Sequence, residues 1–225
     1  MEPYFDAILA LVLFALFMGA PFLSLFHDVL DYCKSSMMAT AWYVLGVLML
    51  YYSTAVPTIF VLEGITLPVV YAILTIILMF LFSGRWQSYG RYLMPKNNYN
   101  HEATTFYDFT PRYTFVKGLE MFFQNVVAAT VITAFYSLTG DVWLTGFFFG
   151  VAFFSLHMPA VHYFGREWTI FILVASVVAG IVPVVLILLI PGGILLLFSF
   201  HALMYLLFLV CMRRRAIHFN GHAPL

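Results

Sequence analysis

The chain has 225 residues, of which 64% are hydrophobic and only 9% charged, and its ten Lys and Arg balance its ten Asp and Glu. A water-soluble domain carries about 25% charged residues, and a mean hydropathy of +0.98 leaves this chain too little polar surface to cover itself in water. Composition excludes an ordinary soluble domain, and the expected architecture is an all-α, polytopic transmembrane helix bundle with no nucleic-acid partner.

A helix needs about 20 mostly apolar residues to cross the hydrocarbon layer. Seven runs meet that requirement, at residues 5–26, 40–62, 66–84, 115–138, 142–163, 168–190 and 192–212. The first begins "MEPYFDAILALVLF", acidic ahead of its apolar stretch and without the basic region of a cleaved signal, so it is expected to stay as a span. His27 and Asp28 follow it and belong to the interface. Gly64 and Gly84 punctuate the second and third runs. Residues 84–118, "GRWQSYGRYLMPKNNYNHEATTFYDFTPRYTFVKG", are the only sizeable polar segment. Aromatic rings among Lys and Arg favour the headgroup layer, so this segment is expected to be a cytoplasmic, interfacial loop.

Gly140 with Asp141, then Gly165, then "PGG" at 191–193 separate the last four runs. Residues 213–225 read as an exposed tail carrying His218 and His222, and residues 1–225 as a single transmembrane domain. Cys33 and Cys211 lack CxxC spacing and indicate neither a disulfide frame nor a thiolate metal site.

Charge orients this arrangement. Lys34, Arg85, Arg91, Lys96, Arg112, Lys117, Arg166 and Arg213 to Arg215 are every basic residue in the chain, and all fall on one side of the seven spans. The other side receives Glu2, Asp6, Glu63 and Asp141. The positive-inside rule then places the amino terminus outside and the carboxyl terminus in the cytoplasm. The expected location is a plasma membrane of the bacterial inner type, crossed several times.

Three ionisable residues stand out within the apolar runs: Glu120, His157 and His201. At about 1.5 Å per residue, Glu120 is shallow, His157 about 13 Å from Arg166 and His201 about 18 Å from Arg213. All three fall in the cytoplasmic half, where a shared cavity is geometrically open to them. Glu120 has two simpler fates, snorkelling to the headgroups or pairing with Lys117 one turn earlier. Each His has one as well, a neutral ring packing against a backbone carbonyl of a neighbouring helix. His162 reads as interfacial. Pro159, two residues after His157, is a candidate helix break that would turn His157 toward a cavity. Gly146, Gly150, Gly180 and Pro183 read as close-packing and kink positions, and runs such as "GFFFGVAFF" as packing or lipid-facing surface.

"LEMFFQN" at 119–125, "FFSLH" at 153–157 and "HALMY" at 201–205 resemble, in order and spacing, the motifs of the CAAX-protease and bacteriocin-processing family, the glutamic intramembrane proteases. That family carries EExxxR at the start of one helix, FxxxH in the next and HxxxN (or Asp) two helices later, and the likeness spans residues 112–212. It implies that Glu120 occupies the position of the family's second, supporting Glu, His157 that of the water-activating histidine and His201 that of the oxyanion-binding histidine. The departures are equally plain. Leu119 stands where the family has its first Glu, Gln124 where it has Arg, and Tyr205 where it has Asn. Leucine accepts no proton, and losing a general base costs about 10²–10⁴ in rate. Gln124 supplies no fixed charge, while Tyr205 retains an OH for an oxyanion.

Three functions compete on these residues. The first is a non-catalytic accessory or assembly subunit, a pseudoenzyme on this scaffold, which binds other integral membrane proteins within the lipid bilayer and takes no cofactor or metal. The second is a divergent intramembrane peptidase using Glu120 and His157 to activate water, with His201, Tyr205 and Gln124 in support. The third is a membrane protein in which histidines ligate haem or another tetrapyrrole; no paired histidines recur along two helices to favour it. A zinc site from Glu120, His157 and His201 lacks the HExxH spacing.

Overall fold

Backbone hydrogen bonds that cannot reach water close locally, and long apolar runs satisfy them as helices. A computed structural model describes the backbone of residues 3–19, 35–53, 66–83, 111–164 and 167–220, which form seven helices with no strand among them. These are α1 (Pro3–Gly19), α2 (Ser36–Ser53), α3 (Thr66–Ser83), α4 (Pro111–Thr139), α5 (Val142–Phe164), α6 (Glu167–Leu189) and α7 (Gly193–Asn220). Each expected apolar run has a helix at its place. Of these, Thr114–Thr139 and Ile172–Leu189 are long and apolar enough, among the described residues, to cross a membrane. Cys33, His27, Gly64, Gly84, Gly165, residues 84–110, His222 and the side chains of His162, Cys211 and His218 lie outside the described residues.

Two helices are longer than their apolar runs. α4 starts at Pro111, so residues 111–118 of the expected loop are helical. Proline suits a first helical position, where its missing N–H has no intrahelical partner to lose. α7 continues to Asn220, so residues 213–220 of the expected tail are helical too. Hydropathy marks where a chain enters lipid, while a helix ends where its backbone pattern is broken, and no Gly or Pro follows Gly193 until Gly221. Pro159 is no break either, because α5 runs through it to Phe164.

The turns use the punctuation that the sequence carries. Gly140 has φ 62° and Gly192 φ 68°, left-handed conformations that cost glycine little. Asp141 then caps α5: its carboxylate Oδ1 accepts from the Leu144 N–H at 2.7 Å and its carbonyl from the Thr145 N–H at 3.0 Å. Between α6 and α7, the Gly193 N–H donates to the Ile190 carbonyl at 2.9 Å.

Contacts divide the chain into two compact units. The first contains residues 1–14, 47–68 and 124–197. Its centre is the α5–α6 contact, where Gly146 and Gly180 bring two backbones together. A Cβ on Gly146 would lie 2.3 Å from the Gly180 carbonyl oxygen, and one on Gly180 2.6 Å from that of Gly146. Small residues at a helix–helix contact allow the two backbones to approach this closely.

The second unit contains residues 15–46, 69–123 and 198–225. Phe17, Tyr43 and Phe123 are fully buried there, with ring centroids 5.4 Å apart for Phe17–Phe123 and 6.1 Å for Tyr43–Phe123. Trp42 packs 4.6 Å from Phe17 and donates its indole N–H to the Phe17 carbonyl at 3.1 Å. Beside this aromatic core, Met79, Met121, Phe198 and Ala202 form a cluster joined by Phe122, Tyr205 and Leu206.

Besides this apolar core, some polar groups are buried and many large apolar groups are exposed. Along α3, Leu67, Val70, Ile73, Leu74, Ile77 and Leu81 are exposed while Thr75 is buried. Along α6, Ile170, Leu173, Val174, Val177 and Ile181 are exposed while Ser176 is buried. Hydroxyls close onto their own helices: Thr75 donates to the Tyr71 carbonyl, Thr130 to Val126 and Ser176 to Ile172, at 2.6–2.9 Å.

Candidate functional site

Glu120 lies in the second unit, on α4, and is 1% exposed. Three residues earlier on the same helix, Lys117 reaches its carboxylate with distances of 2.6 Å to Oε1 and 2.8 Å to Oε2. The i, i+3 spacing places both groups on one face, and the lysine side chain is itself only 7% exposed. An isolated charge would be expensive here, and the two charges meet the need in each other. The ammonium also lies 5.4 Å from the centroid of the Tyr205 ring on α7, within the reach of a cation–π contact. Of the two fates open to Glu120 in the sequence, pairing with Lys117 is the one adopted.

The structure therefore brings Glu120 and Tyr205 together around Lys117, a residue that sequence reasoning named as a partner for Glu120 but not for Tyr205. His201 sits one turn before Tyr205 on α7 in the same unit, half-buried. Leu119 is half-buried beside Glu120, and Gln124 follows one turn along α4.

His157 belongs to the first unit, on α5. Its Nδ1 lies 2.8 Å from the Phe153 carbonyl oxygen, to which the Nδ1–H form donates, and its ring stacks on Phe153 at 4.0 Å. The imidazole meets a carbonyl of its own helix, not the carbonyl of a neighbouring helix that its simpler fate expected. Phe153 is the residue that opens the FxxxH pattern, so this spacing has a local use: residues four apart on a helix lie one above the other.

Two further polar side chains of the first unit are buried, one an acid and one an amide. Asp6, read as a flanking acid, is buried in the first turn of α1, and Asn125 is buried on α4. Among the described residues, no three His, Cys, Asp or Glu side chains form a group that would hold a metal ion.

Chemically, the Lys117–Glu120 arrangement is a buried ion pair in which each carboxylate oxygen keeps a further lone pair. A general base must present a lone pair to a water held against the substrate. Both oxygens of Glu120 already accept from Lys117, in a place nearly shut to solvent. Compared with protein-family models, with curated proteins and with solved structures, the chain matches none. The likeness to glutamic intramembrane proteases rests on the three short motifs alone.

Proposed function

We propose that this chain is a non-catalytic, multi-pass membrane protein on a scaffold like that of the glutamic intramembrane proteases, serving as an accessory or assembly subunit. Its partners are other integral membrane proteins, bound within the bilayer. The observation that carries the reading is the buried two-point contact between Lys117 and Glu120. It engages the carboxylate that hydrolysis would require, beside a leucine at position 119 that offers no substitute.

The membrane part of the proposal has separate support. Large apolar side chains are exposed along α1, α2, α3, α5 and α6, more than a water-facing surface tolerates. α4 has 29 residues, about 43 Å at the helical rise, longer than the roughly 30 Å of a hydrocarbon core. Measured back from Thr139, its surplus turns carry Arg112 and approach Lys117, consistent with a basic cytoplasmic end. The segregation of all ten basic residues favours seven spans with the amino terminus outside, in a plasma membrane of the bacterial inner type. The exposed aromatic and aliphatic faces of α3, α5 and α6 give partner helices a surface to pack on.

The test has two arms. Purified chain in proteoliposomes, offered membrane-anchored peptides, is expected to leave them intact. The chain extracted from its own membranes in mild detergent is expected to migrate in a complex that purified components rebuild. Cleavage that disappears in both Glu120→Ala and His157→Ala variants overturns the non-catalytic reading. Migration of the native chain as a single copy overturns the subunit role.

A further inference from the structure

Within the second unit, the first turns of α2 and α4 and the last turns of α3 border a shallow, open surface groove of about 720 Å³. Its walls are the exposed side chains of Met37, Val44, Phe80 and Phe115. Its polar groups are few: the hydroxyls of Ser36 and Thr40 and the exposed guanidinium of Arg112. No acidic side chain lines it among the described residues.

This combination selects an amphiphile with a negative head. The apolar walls gain by losing contact with water, about 25 cal/mol for each Å² covered. The guanidinium offers paired N–H donors that match two phosphate oxygens. The amino-terminal ends of α2 and α4 add partial positive charge of the same sign.

We propose that this groove binds an anionic phospholipid, one acyl chain lying along Met37, Val44, Phe80 and Phe115 and the phosphate on Arg112 with Ser36 and Thr40. The inference rests on the membrane part of the reading above and is independent of whether the chain hydrolyses peptides. The orientation argued there puts the groove at the cytoplasmic leaflet, where anionic lipids concentrate charge against basic side chains.

The probe is phosphatidylglycerol compared with phosphatidylcholine of identical acyl chains, added to delipidated full-length chain and counted by native mass spectrometry. Wild type is expected to retain phosphatidylglycerol about tenfold better, as one charge-assisted contact allows. Arg112→Gln should bring that ratio close to one and Arg112→Lys should restore part of it. Val44→Trp, which fills the groove, should lower retention of both lipids, and Leu173→Trp on the outer face of α6 should lower neither. Free glycerol 3-phosphate should not displace the bound lipid.

Equal retention of the two lipids, as would follow if residues 84–110 filled the groove, overturns the proposal. So does an unchanged ratio in Arg112→Gln with its helix content intact, or displacement by the free headgroup. Alkaline washing of membranes separates the two ideas. Release of the chain sinks the membrane reading itself, while a retained chain without lipid preference sinks the groove alone.

Discussion

Lys117 and Glu120 show how two charges persist at 7% and 1% exposure. Each is tolerable because the other is 2.6 Å away. Removing one partner leaves the other as an uncompensated buried charge, which costs about 3–5 kcal/mol, while replacing both by apolar groups is often neutral or stabilising. Lys117→Met and Glu120→Met are therefore each expected to unfold at markedly lower denaturant in mild detergent, and Lys117→Met/Glu120→Met close to wild type. Single variants as stable as wild type would mean that water reaches the pair. The same reasoning explains why Glu120 stood out in the sequence while its fate stayed open: an acid in an apolar run signals a partner, and i, i+3 spacing offers one without excluding the headgroups.

Helices α5 and α6 meet through glycines, so their contact is set by backbone rather than by side-chain size. A methyl group at Gly146 or Gly180 would sit 2.3 or 2.6 Å from a carbonyl oxygen of the facing helix, and neither backbone can swing aside as a side chain would. Gly146→Ala and Gly180→Ala are expected to destabilise by about 1–3 kcal/mol, as overpacking does. Gly118→Ala on α4 is the contrasting case, since a Cβ there meets nothing within 4 Å. Its expected effect is a gain of about 0.5–1 kcal/mol from helix propensity. Unfolding midpoints for the three variants check both signs. Helix existence was legible for all seven elements, because an apolar run bounded by Gly, Pro or Asp is a local signal. The true start of α4 was not, since Arg112 and Lys117 depress hydropathy where the helix already runs.

For the chain as a whole, the arrangement of basic residues makes a topological prediction. With Cys33 and Cys211 replaced by Ser, a single cysteine at Ser137 is expected to react with an impermeant maleimide in intact cells. One at Asn97 is expected to react only after permeabilisation. The reverse pattern would invert the orientation, and reaction of both from outside would break the seven-span count. Ser137 is exposed near the end of α4, so its reactivity depends on which side of the membrane it faces rather than on burial.

Length and summed hydropathy of each apolar run, the breakers between runs and the sidedness of Lys and Arg determine how many helices form and favour a membrane for them. All of these are readable along the chain, because a helix closes its hydrogen bonds within a few residues and hydropathy adds up over a segment. Which face of each helix turns inward was a different matter. Helices that are apolar all round carry no contrast between a buried and an exposed side. Folding alone brought Tyr205 over Lys117, set Gly146 against Gly180 and opened a groove beside Arg112. Those pairings join segments far apart in sequence, and they follow from the shapes of surfaces that exist only once the helices have packed.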